Sequence, residues 1–255
     1  MNGFRQNGSA LIIVLVVVML LTIIGVMAVR SGLLGLNIAT NSQASHIMDQ
    51  NNDAALFQIE DNAQFDDFIA GTGLFGYPKM IANRDKELVI CYRGKVNQFY
   101  QFYRASVVYT EKNQDQATVM KTEDIGGSAR SGFCQVNDQK SDFVSGRAAA
   151  MTQISVRVAG SATDGDEPFS YYQVGTDTES GKLDEAVRLI VTATTVMPVL
   201  STEDNATINA CMKNLSYVDT ATNLETISEC LSKNAVPYKT QVSEYTLGQF
   251  IKKVV

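Results

Sequence analysis

Residues 9–29 read SALIIVLVVVMLLTIIGVMAV. These 21 residues contain no charged side chain, and the run stops at Arg30. As an α-helix rising ~1.5 Å per residue, the segment spans roughly 30 Å, the thickness of a bilayer's hydrocarbon core. Before it stands a short polar stub, MNGFRQNG, and after it the chain is polar enough to dissolve in water. The fold therefore follows from what kind of membrane segment this is, and from what it carries on its far side.

The chain has 255 residues, enough for one sizeable domain or two small ones. Its net charge of −6 is unevenly placed. Residues 1–30 have no Asp or Glu and two arginines, Arg5 and Arg30, which leaves 19 basic and 27 acidic residues beyond them, a balance of −8. An acidic soluble part argues against nucleic acid as a general partner, because that binding relies on Lys and Arg neutralising phosphates.

Four cysteines are present: Cys91, Cys134, Cys211 and Cys230. No pair has CxxC spacing and His46 is the single histidine, so no metal site and no cofactor is expected. If the apolar segment carries the chain across a membrane, the destination is oxidising and two disulfides follow. Three pairings are possible; loop length favours Cys211 with Cys230, leaving Cys91 with Cys134, and four buried thiols are the alternative.

Three readings compete for the N-terminus. A cleaved secretory signal has an apolar core of roughly 7–15 residues and a small-residue cleavage site after it. Here the core is too long and the exit, AVRSGLLG, has no AxA motif. A plain anchor fits the length, but Arg5 and Arg30 flank both ends and blur its orientation. The third reading uses the polar leader ending in Gly8, where cleavage would leave Ser9 as a new N-terminus still joined to the apolar helix.

That pattern resembles the type IV prepilins, and within them the PilX minor pilins. The matching residues are Gly8-Ser9-Ala10-Leu11-Ile12-Ile13, then Leu20-Leu21-Thr22-Ile23-Ile24-Gly25, then Asn41, and Asn52-Asp53-Ala54-Ala55-Leu56. The likeness covers roughly residues 5–60. It implies cleavage by a prepilin peptidase between Gly8 and Ser9 and methylation of the new N-terminus. It also implies a helix that anchors the subunit in the inner membrane and later packs in a filament. One position departs from most pilins: the fifth mature residue is usually glutamate, and here it is Ile13. An ionised carboxylate is costly in hydrocarbon and generally serves a partner there. In ordinary pilins it is thought to pair with the amino terminus of the neighbouring subunit already in the filament. The lack of it is shared by PilX-like minor pilins and by the GspK-like pseudopilins of type II secretion, and fits a place at a filament tip.

Beyond Arg30 the chain turns amphipathic. Leu33, Leu34, Leu36, Ile38, Ile47, Met48, Ala55, Leu56 and Ile59 recur at three- and four-residue steps among polar residues, and no proline precedes Pro78. One helix of about fifty residues is expected, with the face from Leu36 to Ile59 buried against a sheet. Its interior glycines, Gly25, Gly32 and Gly35, each cost roughly 1 kcal/mol relative to alanine. They serve close helix packing or a point of unwinding. GTGLFGYP at 71–78 reads as the break after the helix. Strands are expected at 87–92, as one or two within 96–110, at 152–159, 169–174 and 185–199, with 111–148 as loop. Short helices are expected at 205–215 and 221–233, each holding one cysteine, and the closing TLGQFIKKVV reads as an edge strand or short helix.

Chemistry is sparse. There is no P-loop, GxSxG or HExxH, and His46 has no partner at ligand spacing. Asp164-Gly165-Asp166-Glu167 resembles a fragment of a calcium loop without its full pattern. The acidic group Glu60, Asp61, Asp66 and Asp67 reads as the solvent side of a helix end. Arg93 to Arg104, RGKVNQFYQFYR, interleaves cations with rings, which suits either a buried strand or stacking on single-stranded DNA.

The expectation is an α+β, pilin-like protein: a long N-terminal helix packed on an antiparallel sheet, with a small helical, disulfide-stapled C-terminal extension. Its parts are a leader (1–8), a transmembrane and polymerisation helix (9–29), an amphipathic half-helix (30–62), a periplasmic α+β domain (63–200) and the extension (201–255). The resemblance implies a non-enzymatic minor pilin, without a small-molecule substrate, that primes type IV pilus assembly in the inner membrane. It then stays at the tip beside other minor pilins, the major pilin and an adhesin, with roles in adhesion and twitching motility. The alternatives are a GspK-like tip pseudopilin of type II secretion and a bitopic periplasmic sensor or enzyme with an uncleaved anchor.

Overall fold

The computed structural model describes residues 9–61, 64–93, 98–127, 130–137, 141–144, 147–159, 187–218 and 224–247. The chain divides into two units, Met1–Ile47 and Met48–Val255. Helix α1, Ser9–Ile59, is continuous over 51 residues. Its length follows from an unbroken absence of proline, which allows every interior N–H its partner four residues back.

In the first unit α1 is bare from Leu11 to Ile38. Its large apolar side chains from Leu11 to Ile38 are all exposed, between 43% and 71%. In the second unit the same helix carries a buried stripe: Met48, Asn52, Ala55, Leu56 and Ile59 are each at most 5% exposed. The expected buried face beginning at Leu36 is thus corrected. Leu36 and Ile38 are 63% and 71% exposed, and burial on the helix's apolar stripe starts only at Ala44, which is 6% exposed. The physical cause is the 4-3-4 spacing of Met48, Asn52, Ala55 and Ile59, which aligns them on one side of the helix.

The second unit is built on a six-stranded antiparallel sheet of order β3-β2-β1-β4-β5-β6. The strands are β1 (Glu87–Tyr92), β2 (Ser106–Lys112), β3 (Thr118–Asp124), β4 (Met151–Val158), β5 (Val187–Val196) and β6 (Tyr238–Leu247). Short helices α2 (Phe65–Ile69) and α3 (Gly76–Lys79) precede β1, and α4 (Asn205–Cys211) and α5 (Ile227–Lys233) precede β6.

Both faces of the sheet are covered. On the first, Leu88 and Ile90 of β1, Val107 of β2, Ile154 and Val156 of β4, and Leu189, Val191 and Ala193 of β5 pack with Ala55, Leu56 and Ile59 of α1 and with Phe68, Leu74 and Phe75. On the second, Cys91, Met151 and Val196 pack with Ile208, Met212, Ile227 and Leu231, while Val89 and Val108 pack with Phe133 and Leu215. Gly132 lets the covering segment approach closely: a Cβ there would run into the Val89 carbonyl and the Ser106 amide.

Several expectations change in this unit. On the second face of the sheet, Gln153 of β4 is 1% exposed. Its carbonyl accepts the Cys134 N–H at 3.0 Å and its amide donates to the Met212 carbonyl at 2.8 Å. In the stretch expected to hold one or two strands, 96–110, residues Phe102–Arg104 form a 3-10 turn and β2 begins at Ser106. Phe99 and Tyr100 are spent on an aromatic cluster instead, with ring centroids 6.0 and 6.3 Å from that of Phe68. The stretch expected as loop contains β3, an edge strand whose burial never exceeds intermediate, so it lacks the apolar alternation that marks a covered strand. The tail after residue 201 is not only helical. β6 pairs with β5 over ten residues from Tyr238 to Leu247, and Val242, its one aliphatic residue before the last, is 60% exposed. The expected strand at 169–174 lies outside the described residues.

Two disulfides close the second face. Cys91 joins Cys134 and Cys211 joins Cys230. The second bridges α4 and α5. These sequence separations of 43 and 19 residues correspond to about 4 and about 3 kcal/mol in the chain-entropy picture. The α4–α5 pair is also capped locally. Asp204 accepts the Thr207 N–H at 2.7 Å. Thr226 and Glu229 form a reciprocal capping box, in which Glu229 accepts the Thr226 N–H at 2.8 Å.

Candidate functional site

The candidate site is the bare surface of α1. This one helix is long and apolar enough to cross a membrane. No Asp or Glu occurs before Asp49, so over 9–47 the charged side chain is Arg30, with His46 the other titratable group. Two threonine hydroxyls are satisfied by the helix itself: Thr22 within the run donates to the Met19 carbonyl and Thr40 beyond it to the Leu36 carbonyl, both at 2.7 Å. That local bonding lets a hydroxyl sit in hydrocarbon without losing a partner. Such a segment is apolar around its whole circumference, and so is suited to lipid or to other apolar helices on every side.

Gly8 lies outside the described residues, as do the seven residues before it. Ser9 is the first residue of α1. Ile13 lies one turn further on and is 60% exposed. Gly25, Gly32 and Gly35 are all within the continuous helix, and a methyl group added to any of them meets no atom of this chain within 4 Å. Nothing inside the molecule requires these glycines. They leave a surface on which another helix could approach closely.

In the second unit α1 is fastened by polar contacts that sequence periodicity missed. Asn52 is 1% exposed. Its amide donates to the Lys239 carbonyl at 3.1 Å, and its oxygen accepts the Thr195 hydroxyl at 2.6 Å. Thr195 in turn shares a hydrogen bond with Thr152 at 2.7 Å. The helix is thereby tied to β4, β5 and β6 through one side chain. The signal available was a lone amide in an otherwise apolar 48/52/55/59 stripe. Lys239 also pairs with Asp49 at 3.2 Å, and the Tyr245 hydroxyl donates to Glu60 at 3.0 Å. Burial, with the Glu60 carboxylate beside it, pushes the Tyr245 phenol up to about 12.

The other singled-out residues fall as follows. His46 is exposed, and no group of three or more His, Cys, Asp or Glu could hold a metal among the described residues. The acidic tetrad at 164–167 lies outside the described residues. Asp66 and Asp67 occupy the first turn of α2 and are exposed. In the basic and aromatic stretch, Arg93 is engaged with Asp142 at 2.7 Å and with the Ser131 carbonyl at 3.0 Å. Phe99 and Tyr100 pack on the first core, while Tyr103 is 46% exposed with the Arg130 guanidinium 5.1 Å from its ring centre. A small cavity at this stretch, about 10 Å³, is lined by Cys91, Arg93, Phe99 and Arg104 among others.

Comparison of the chain with family models, curated proteins and solved structures finds no match.

Proposed function

We propose that the protein is a minor pilin of the type IV pilus, made as a prepilin and cut between Gly8 and Ser9. The observation that carries this reading is the bare, carboxylate-free surface of α1 from Leu11 to Ile38, joined without a break to a sheet-based unit holding two disulfides. A helix apolar on all sides needs apolar company in every direction. Lipid supplies it in the inner membrane, and neighbouring helices supply it in a filament. The disulfides suit a unit held in the oxidising periplasm. Ile13 in place of a carboxylate suits a subunit with none above it, and hence a priming and tip position beside other minor pilins, the major pilin and an adhesin.

N-terminal sequencing of the chain recovered from cells that contain a prepilin peptidase tests the reading. The expected mature start is Ser9, and Gly8→Phe is expected to stay full length. A wild-type chain that still starts at Met1 sinks it. Co-purification separates the two filament readings: pilus minor pilins and adhesin on one side, type II secretion pseudopilins on the other.

A further inference from the structure

The second face of the sheet buries the carboxylate of Glu87, away from the ion-paired Asp142. Glu87 opens β1 and is 1% exposed. Its Oε2 accepts the Ser216 backbone N–H at 3.1 Å. Its Oε1 is buried with no hydrogen-bond partner, and so are the Ser216 hydroxyl and Arg157 Nε, three of the five such side-chain atoms among the described residues. Buried polar atoms without partners are rare and costly, so their gathering at one place calls for a reason.

The register explains how they meet. Leu88 pairs with Val156 and Val89 with Ser155, which sets Glu87 beside Arg157 across β1 and β4. Ser216 comes from the connection between α4 and α5. It follows Leu215, which is 1% exposed and bridges to Thr226. Tyr217 comes next, and the Arg157 guanidinium lies 4.0 Å from its ring centre. The charged or titratable groups facing Glu87 are therefore Arg157 from β4 and Tyr217 from the connection. From β2 and the covering segments come the apolar Val108, Phe133 and Leu215.

We propose that Glu87 is a protonation-operated clasp that fastens the α4–α5 connection to the sheet more tightly as pH falls. Ionised, the carboxylate is stripped of water and holds a single N–H. Protonated, it needs no counter-charge, and the new O–H has the neighbouring Ser216 hydroxyl oxygen to donate to. Burial raises the Glu87 carboxyl above the ordinary range, and outweighs the opposing pull of the Ser216 backbone N–H and of the Arg157 charge. The sign follows by linkage. The clasped form binds a proton that the open form, with an ordinary carboxyl, has already released. The clasp is strongest below the ordinary carboxyl range and weakens as pH rises through the raised Glu87 value. It is independent of any filament role.

Hydrogen–deuterium exchange of the full chain in detergent micelles, from about pH 5 to about pH 8 and corrected for intrinsic rates, reads the opening of residues 215–217. Protection of the Ser216 and Tyr217 amides is expected to rise as pH falls, by up to about tenfold per pH unit while Glu87 titrates. The amides of Ile154 and Leu189, in the strands over the first core, are expected to stay level. Glu87→Gln carries a permanent donor in place of the proton, and is expected to keep the acid-level protection at pH 8 with no slope. A flat wild-type profile, or a wild-type slope in Glu87→Gln, overturns the clasp. Ser216→Ala keeps the backbone donor but lacks the acceptor, and is expected to lose the gain at low pH; a gain that survives intact overturns it too.

Discussion

Leu34 and Leu56 stand on one helix, in similar local sequence, and have opposite fates. Leu34 is 64% exposed and Leu56 is 5% exposed. The contrast extends to the two stretches around them. From Leu11 to Ile38 the apolar side chains of α1 are exposed on all sides. From Met48 to Ile59 a narrow stripe is buried, and it includes a polar residue, Asn52. Hydrophobicity alone therefore does not decide burial within a chain. The first stretch is too apolar all round to be served by a single sheet, and needs an environment the chain does not itself contain. The second has one apolar side, which a sheet can cover.

The largest test of this contrast is a matched pair of truncations. Leu56→Ala is expected to destabilise the second unit by about 2–5 kcal/mol, because it opens a cavity in the first core. Leu34→Ala is expected to change it by no more than about 0.5 kcal/mol. Urea unfolding of the full chain in detergent, followed by near-ultraviolet circular dichroism, measures both. Equal losses would abolish the distinction between the two stretches.

A smaller effect sharpens what the buried stripe does. Asn52→Ala leaves the Lys239 carbonyl without its side-chain donor and the Thr195 hydroxyl with Thr152 as its remaining partner. The expected cost is about 1–3 kcal/mol, the range for an abandoned buried polar group. Measured alongside Leu56→Ala, it tells how far the helix is held by polar ties and how far by apolar burial. The smallest expected effect lies away from α1. Thr226→Ala removes half of the capping box at α5 and is expected to cost about 1 kcal/mol. Thermal unfolding of the full chain reads it, and an unchanged midpoint would show that the Cys211–Cys230 bridge alone holds that helix in place.

Much of the helical part was legible beforehand. Proline-free length and a charge-free opening run make α1 visible, because both are local properties. Strong strands such as β4 and β5 show in their β-branched residues. The edge strands did not show: β3 and β6 each have a side without cover, so their residues are polar and their pattern matches a loop. The aromatic run at 99–103 looked like a strand because rings favour strands. Its rings instead meet Phe68, a residue distant in sequence. Glu87 carried no signal at all, since an acidic residue opening a strand is ordinary until its surroundings close over it.

By itself the sequence determined the helix, its apolar opening, the absence of a carboxylate before Asp49 and the loop lengths that favour the cysteine pairing. Each is a matter of composition or short spacing. Only the tertiary structure decided that burial on the helix's apolar stripe begins at Ala44 and not at Leu36. It also decided that Asn52 bonds to both β5 and β6, that β6 completes the sheet, and that Glu87 is sealed beside Ser216 and Arg157. These depend on which segments cover which face, and that is settled by contacts between residues far apart in the chain.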